Sequence, residues 1–289
     1  MARFEVPPTD ALVADAVAVG RGLGLRVEDP VVLRASLNVI VWLRPEPIVA
    51  RIQAETGLVR SAETLGDSMA LASFLAAAGL PVCAPTSGID PGPHVGSTGH
   101  AMTLWGYVEV LADEPDTAHV GRSLAEIHEA AVDFAGPMRH VGPLDEIDRL
   151  AKLVAGERPG DAAHLRSLRA RIEVPDLPVQ AVHGDAHLGN VVMTRAGICW
   201  MDWEESWRGP RAWDLAALDH RRRVLGEHGK EIERALDGYG EYDRDEVEAW
   251  APAVALWAAA WGVLYAIATG ELTREAVQRL AWLDERLGD

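Results

Sequence analysis

Residues 182–205 read VHGDAHLGNVVMTRAGICWMDWEE, and they hold two overlapping sets of polar side chains. One set is His183, Asp185 and His187, which alternate as residues on one face of a strand do and could converge on an ion. The other is Asp185, Asn190 and Asp202: an acid, an amide five residues later, and a second acid twelve residues after that. The two sets favour different metals. A pair of imidazoles suits zinc, whereas carboxylate and amide oxygens suit a hard cation such as magnesium. Which set acts decides both the chemistry and the fold.

A metal hydrolase built on the first set stands on one fragment. The G-D-x-H run resembles the start of metallophosphoesterases, whose site also takes downstream Asp, Asn-His and His segments, yet here Gly189-Asn190 is followed by Val191. The second set is longer and more specific. From His183-Gly184-Asp185 through Asn190 to Asp202 it reproduces the spacing of a kinase catalytic loop and its metal-binding Asp. Phosphoryl transfer needs a carboxylate at the attacking hydroxyl and cations on the phosphates, with little covalent help. On this reading Asp185 orients and deprotonates the acceptor hydroxyl, and Asn190 and Asp202 hold Mg²⁺.

The rest of the chain sets limits on that reading. Its 289 residues are enough for one large or two modest cores, and 48% apolar with 25% charged residues is ordinary for a soluble globular protein. A formal charge of −17 argues against a nucleic-acid partner. Most of that charge reads as solvated surface, and the excess also attracts a cationic small molecule. Cys83 and Cys199 lie far apart in apolar surroundings, which fits buried free thiols in a reducing cytoplasm better than a disulfide framework. Residues 1–20 lack the pattern of a secretory signal. Residues 251–269, APAVALWAAAWGVLYAIAT, carry no charge over nearly the length of a membrane span. Their flanks are acidic, however, and Trp257, Trp261 and Tyr265 recur every four residues, so a buried core helix is expected and no membrane partner.

Organisation changes about a third of the way along. A helix is expected over 9–20, three short β-rich runs over 30–36, 38–43 and 47–52, a helix over 61–78 ended by Gly79 and Pro81, and a strand over 101–110. From Asp116 the pattern is mostly helical, interrupted by short β-like pieces at 179–182, 191–193 and 198–201; GERPGDAAH, 156–164, reads as an exposed loop. A small β-rich part over residues 1–108 therefore precedes a larger helical part over 109–289 that carries the catalytic loop.

Taken with WMDWE (200–204), GPRAWDLA (209–216), LAEIHEA (124–130), MTLWGYVE (102–109) and FLAAAGLPVCAP (74–85), the catalytic stretch resembles the aminoglycoside phosphotransferase and choline kinase family. The resemblance covers most of the chain. It implies an α+β, two-lobe protein-kinase-like fold, with a small antiparallel-sheet N-terminal lobe and a larger, mainly helical C-terminal lobe. It also implies ATP, with GTP as an alternative donor, lying between the lobes with its base against the backbone near Trp105, Tyr107 and Val108. The turn holding Ser36 and Asn38 would cover the phosphates. His183 would order the catalytic loop, and Asp214 would brace it from the following helix.

The match departs from the family at one cation. The strand-three Lys that touches the nucleotide phosphates falls on Arg51, which keeps the charge and offers two donors but is bulkier. Its expected acidic partner is Glu63 or Asp67, with Ser68 standing where an aligned Glu would fall. His187 is expected to face the substrate cleft or the core. Glu204 and Glu205 are expected either to meet a cationic acceptor or to be solvated, Trp203, Trp207 and Trp213 to pack around the loop, and His220 to Arg223 to form an exposed basic helix face. The resulting expectation is transfer of the γ-phosphoryl group to a hydroxyl of a small molecule, an amine-bearing natural product such as an aminoglycoside being favoured, in a resistance or metabolic role. A nucleotide- or metabolite-binding pseudokinase is the alternative.

Overall fold

The β-rich start follows from alternation in the sequence. In NVIVW (β2, Asn38–Trp42) Val39 and Val41 are buried and Ile40 and Trp42 less so; in IVARIQ (β3, Ile48–Gln53) Ala50 and Ile52 are buried, with Val49 and Arg51 on the other face. Together with β1 (Val31–Ala35), β4 (His94–Val95) and β5 (Ala101–Gly106) they form an antiparallel sheet in the order β1-β2-β3-β5-β4. Arg51 is registered between Ile40 and Thr103. The buried face meets Leu12 and Ala16 of α1 (Thr9–Gly22) in one core with Val41, Leu43, Met102 and Leu104. Asp15 of α1 accepts bonds from the backbone and hydroxyl groups of Ser97 and Thr98, which ties that loop to the helix. Helix α2 (Ala62–Ala77) ends where Gly79 takes a φ of +82°. The strand expected over 101–110 stops at Gly106: the Tyr107 N–H still reaches the Pro47 carbonyl at 2.8 Å, in register with the Ile48–Gly106 pair, but Pro47 has no N–H to return a bond. Both cysteines are free and buried.

The computed structural model describes residues 7–139 and 142–288, so residues 1–6, part of the stretch read against a secretory signal, lie outside it. The chain divides into two units, 1–113 with 192–204 and 114–191 with 205–289. The single break expected after residue 108 is thus corrected. The hairpin of β7 (Val191–Thr194) and β8 (Gly197–Trp200) places most of its residues in the first unit. Its peptide groups explain why: the Trp200 N–H donates to the Pro81 carbonyl (2.7 Å), the Cys83 N–H to the Trp200 carbonyl (2.8 Å), and the Leu111 N–H to the Met193 carbonyl (2.8 Å).

The second unit is helical. Asp116 caps α3 (Thr117–Ala131), and Pro143 starts α4 (Pro143–Leu153). The loop expected over 156–164 is mostly helix: Pro159 opens α5 (Pro159–Arg169), Arg158 pairs with Asp161 at 2.5 Å, and Ala162 is fully buried. Strand β6 (Gln180–Val182) pairs with β9 (Trp207–Gly209) at the foot of the loop that carries Asp185. Helix α6 (Arg211–His220) runs into one π turn over Arg221–Leu225, followed by α7 (Gly229–Tyr239), α8 (Arg244–Thr269) and α9 (Arg274–Leu287). Helix α8 has the length and apolarity of a membrane span, and it is mostly buried within this unit, where it packs on α4, α5, α6 and α9. Its Trp257 donates to Glu146 at 2.9 Å, whereas Tyr265, the last of the predicted stripe, is exposed. The basic run also differs from expectation: His220 is buried, although Arg221, Arg222 and Arg223 do pair with Glu227, Asp219 and Glu248.

Candidate active site

The loop that carries Asp185 and Asn190 begins where β6 ends, and its first turn admits only glycine. Gly184 has a φ of +87°, and a Cβ there would lie 2.1 Å from the Glu205 carbonyl. The freed peptide groups are taken up by one carboxylate. Asp214 of α6, fully buried, accepts the His183 N–H on Oδ2 and the Gly184 N–H on Oδ1, both at 2.8 Å, and the Trp213 indole donates to the Gly184 carbonyl at 2.7 Å. Behind Asp214 stands His128 of α3, with Nε2 3.0 Å from Asp214 Oδ2 and Nδ1 2.9 Å from the Tyr239 hydroxyl. His128 and Tyr239 were missed in the sequence. The available signal was a histidine inside the apolar face of LAEIHEA.

Asp185 is clamped from the far end of the same loop. The Asn190 amide donates to the Asp185 carbonyl at 2.9 Å and to its carboxylate at 3.2 Å, and His187 Nε2 lies 3.4 Å from Oδ2. Burial acts to raise the Asp185 carboxyl, but His187, then His183 and Asn190, outweigh it and hold the group well below the usual carboxylate range. The side chain is therefore ionised at neutral pH, as a group that receives a proton must be. The His183–Asp185–His187 ion site does not form. Nδ1 of His183 accepts the Asp185 N–H (3.3 Å) and Nδ1 of His187 the Gly189 N–H (3.0 Å), and no cluster of three or more His, Cys, Asp or Glu with metal-binding geometry occurs among the described residues.

The first unit holds Arg51 and Asp202. Arg51 donates a hydrogen bond from Nε to Glu204 Oε2 at 2.8 Å, and its Nη2 forms an ion pair with Asp202 Oδ1, also at 2.8 Å. Glu204 also accepts from Asn38 at 2.7 Å and from Arg60 at 3.3 Å, and only 3% of it is exposed. Burial would raise the Glu204 carboxyl, yet Arg51, with Arg60 and Asn38, draws it down to about 2. The expectation of a solvated or acceptor-facing Glu204 is thereby corrected, since its carboxylate is spent inside the sheet unit. Glu63 is corrected too. It is exposed and forms no ion pair among the described residues, while Asp67 is half-buried on α2 and Ser68 bonds back to the Thr64 carbonyl. Glu205 belongs to the second unit, where its carbonyl accepts from Arg139 and its side chain is 13% exposed, so it is not solvated either.

The remaining predicted nucleotide contacts lie on the first unit. Ser36 is in the β1–β2 turn, its N–H on the Asn38 carbonyl at 2.9 Å; the Asn38 side chain is committed to Glu204 and Thr56. Trp105 bonds Thr103, Tyr107 stacks on Trp42 with ring centres 4.0 Å apart, and Val108 is half-buried just beyond β5. Because the Tyr107 N–H is committed to Pro47, that peptide cannot donate to a base.

The donor types of Asn190 and Asp202 fit magnesium. Asn190 commits its amide N–H groups to Asp185, which leaves its amide oxygen, a donor type that suits a hard cation, uncommitted to Asp185. Asp202 takes a φ of +66°, a left-handed conformation tolerated by Asp and typical of residues whose placement matters more than their strain.

The family model described as "Phosphotransferase enzyme family" matches residues 34–250, well over half of the chain. A search of curated proteins finds no match. Among solved structures, an amicoumacin kinase complexed with AMP-PNP, Ca²⁺ and amicoumacin is 14% identical with a TM-score of 0.70, covering 96% of this chain and 94% of that one. A choline kinase from Streptococcus pneumoniae is 16% identical with a TM-score of 0.65, covering 93% and 97%. A spectinomycin phosphotransferase bound to ADP and spectinomycin is 13% identical with a TM-score of 0.58, covering 94% and 93%. An antiparallel sheet unit, a larger helical unit and this match together show that the chain belongs to the phosphotransferase enzyme family, in the superfamily of the aminoglycoside phosphotransferases and choline kinases and with their two-lobe kinase-like fold.

Proposed function

We propose that the protein is an ATP- and Mg²⁺-dependent kinase that phosphorylates a hydroxyl group of a small molecule, with GTP as an alternative donor. One observation carries this reading: an ionised Asp185 held at both ends of its loop, by Asp214 through backbone N–H groups and by Asn190 through its amide. Asp185 accepts the hydroxyl proton and aims the oxygen at the γ-phosphorus. Asn190 and Asp202 supply the oxygens for Mg²⁺, which when bound neutralises phosphate charge. Arg51 grips the α and β phosphates, and the backbone of the Ser36–Asn38 turn and of Trp105 to Val108 borders the nucleotide. The formal charge of −17 favours an acceptor with an amine, such as an aminoglycoside or another aminated natural product, and a cytoplasmic resistance or metabolic role.

A second reading, nucleotide binding without turnover, has one observation in its favour: Arg51 is already engaged by Asp202 and Glu204. The two separate in a paired experiment. ATP with Mg²⁺ is titrated by thermal shift, and ATP consumption is followed over aminoglycosides, amino sugars, hydroxyl-bearing peptides and choline-like alcohols. Turnover with any acceptor supports the kinase. Binding with no turnover across the panel supports the second reading, and no nucleotide binding overturns both.

A further inference from the structure

Beside the loop that carries Asp185, the helical unit holds a cavity of about 340 Å³, formed by the start of α3, residues 187–189, the end of α6 and the start of α7. Its volume sits near the small end of the range for small-molecule pockets, roughly 300–1,000 Å³. Most of the wall is apolar, built from the buried side chains of Val120, Leu218 and Ile232 and the half-buried Leu188. One residue is common to the cavity and to the surroundings of Asp185. His187 lines the cavity, and its Nδ1 accepts the Gly189 N–H at 3.0 Å, so the ring proton sits on Nε2, 3.4 Å from Asp185 Oδ2.

The polar groups on the wall select for a cation. Glu114 and Glu231 both line the cavity, both are exposed, and neither forms an ion pair among the described residues. Arg221 lines it too, but its charge is met by Glu227 at 2.6 Å. The remaining titratable group on the wall is His228, which is exposed. Thr117 adds a second, independent sign of a ligand: its hydroxyl oxygen is buried and has no hydrogen-bond partner among the described residues. A buried hydroxyl in that state is unfavourable, and a ligand atom that bonds it removes the cost. The apolar wall works against a multi-ring polycation, whose many hydroxyl and amino groups would lose water against Val120, Leu218 and Ile232 without gaining partners.

We propose that this cavity receives the acceptor, and that the acceptor is an amphipathic amine. Its aromatic or aliphatic body packs on Val120, Leu188, Leu218 and Ile232, its ammonium group meets Glu114 and Glu231, and one of its polar atoms bonds the Thr117 hydroxyl. The identity of the ligand as the acceptor rests on the kinase reading; the occupation of the cavity by an amphipathic amine does not.

Calorimetry and thermal melting of the full chain at constant ionic strength test this, with phenylalaninol and tryptophanol as probes, each an aromatic body with one amine and one alcohol. Phenylpropanol lacks the amine, glucosamine lacks the apolar body, and kanamycin is a multi-ring polycation. Wild type is expected to bind at least one of the amino alcohols saturably, and about tenfold or more tightly than any of these comparison compounds. The double variant Glu114→Gln/Glu231→Gln is expected to weaken that binding about tenfold and to erase the preference over phenylpropanol, and Thr117→Val to weaken it by a smaller factor. Melting of each variant without ligand shows that it is folded. Saturable binding of neither amino alcohol, tighter binding of glucosamine or kanamycin, or an unchanged preference in the double variant overturns the proposal. So does displacement of the amino alcohol by ADP, which assigns the cavity to the nucleotide. Phosphoryl transfer from ATP with Mg²⁺ is followed separately. Binding that depends on Glu114 and Glu231, with no transfer to any acceptor, is a failure of the kinase reading and upholds the ligand chemistry of the cavity. Transfer to an acceptor whose KM the double variant leaves unaltered keeps the kinase reading and overturns this proposal.

Discussion

Asp185 and Glu204 are both carboxylates whose protons are held more loosely than usual, and the same direction of shift serves different ends. Around Asp185 the stabilising groups leave a quarter of the side chain exposed, 26%, so a substrate can reach it. On the kinase reading, in which this group acts on the acceptor proton, Asp185→Asn should leave nucleotide affinity nearly intact and lower turnover by roughly 10²–10⁴-fold; calorimetry and initial rates measure the two separately. Glu204 is closed off, and its effect is on folding. Its carboxyl falls from an ordinary 4.5 to about 2, so its contribution is fully present above pH 4.5 and is lost as pH falls through about 2. Glu204→Gln should cost about 3 kcal/mol at pH 7, by leaving Arg51 and Arg60 undercompensated, and should flatten the fall in stability between those two pH values. Urea denaturation at a series of pH values reads both effects. A variant with unaltered acid sensitivity would show that the Arg51 pair contributes nothing to stability.

Between elements, the contact of α3 with α7 sets where His128 and Tyr239 meet. Gly121 and Gly238 let the two backbones touch: a Cβ on Gly121 would lie 1.8 Å from the Ala235 carbonyl, and one on Gly238 2.2 Å from the Ala118 carbonyl. Backbone cannot move aside as a flexible side chain can. Gly121→Ala should therefore destabilise by about 3 kcal/mol despite the better helix propensity of Ala, a sign that thermal melting decides at once. His128→Ala removes one partner from buried Asp214 and one from Tyr239. It should cost about 2 kcal/mol and lower kcat with little change in nucleotide affinity, because the loop it steadies carries Asp185. A matched loss of nucleotide affinity would argue instead for a general loss of structure.

For the whole molecule, the kinase reading predicts linkage between ligand and stability. AMP-PNP with Mg²⁺ at a hundred times its Kd should add about 2.7 kcal/mol to unfolding, and omission of Mg²⁺ should remove most of that gain, as seen in denaturant titrations. Equal stabilisation with and without the metal would contradict the roles given to Asn190 and Asp202.

The family, the α+β class and the short loop that brings Asp185 and Asn190 together were legible in the chain because each depends on neighbours in sequence: alternation over five residues in β2, and a turn that carries Asp185 and Asn190 on one loop. The boundary between the units and the partners of the charged groups were not. Arg51 meets Glu204 across 153 residues, and His128 meets Asp214 across 86. No local pattern ranks Glu204 above Glu63 as the acid for Arg51, or sends the hairpin after Val191 back to the sheet unit. Burial decided these cases. A charge or a peptide group removed from water must find a partner wherever the folded chain offers one, and that choice is made only when distant segments are brought together.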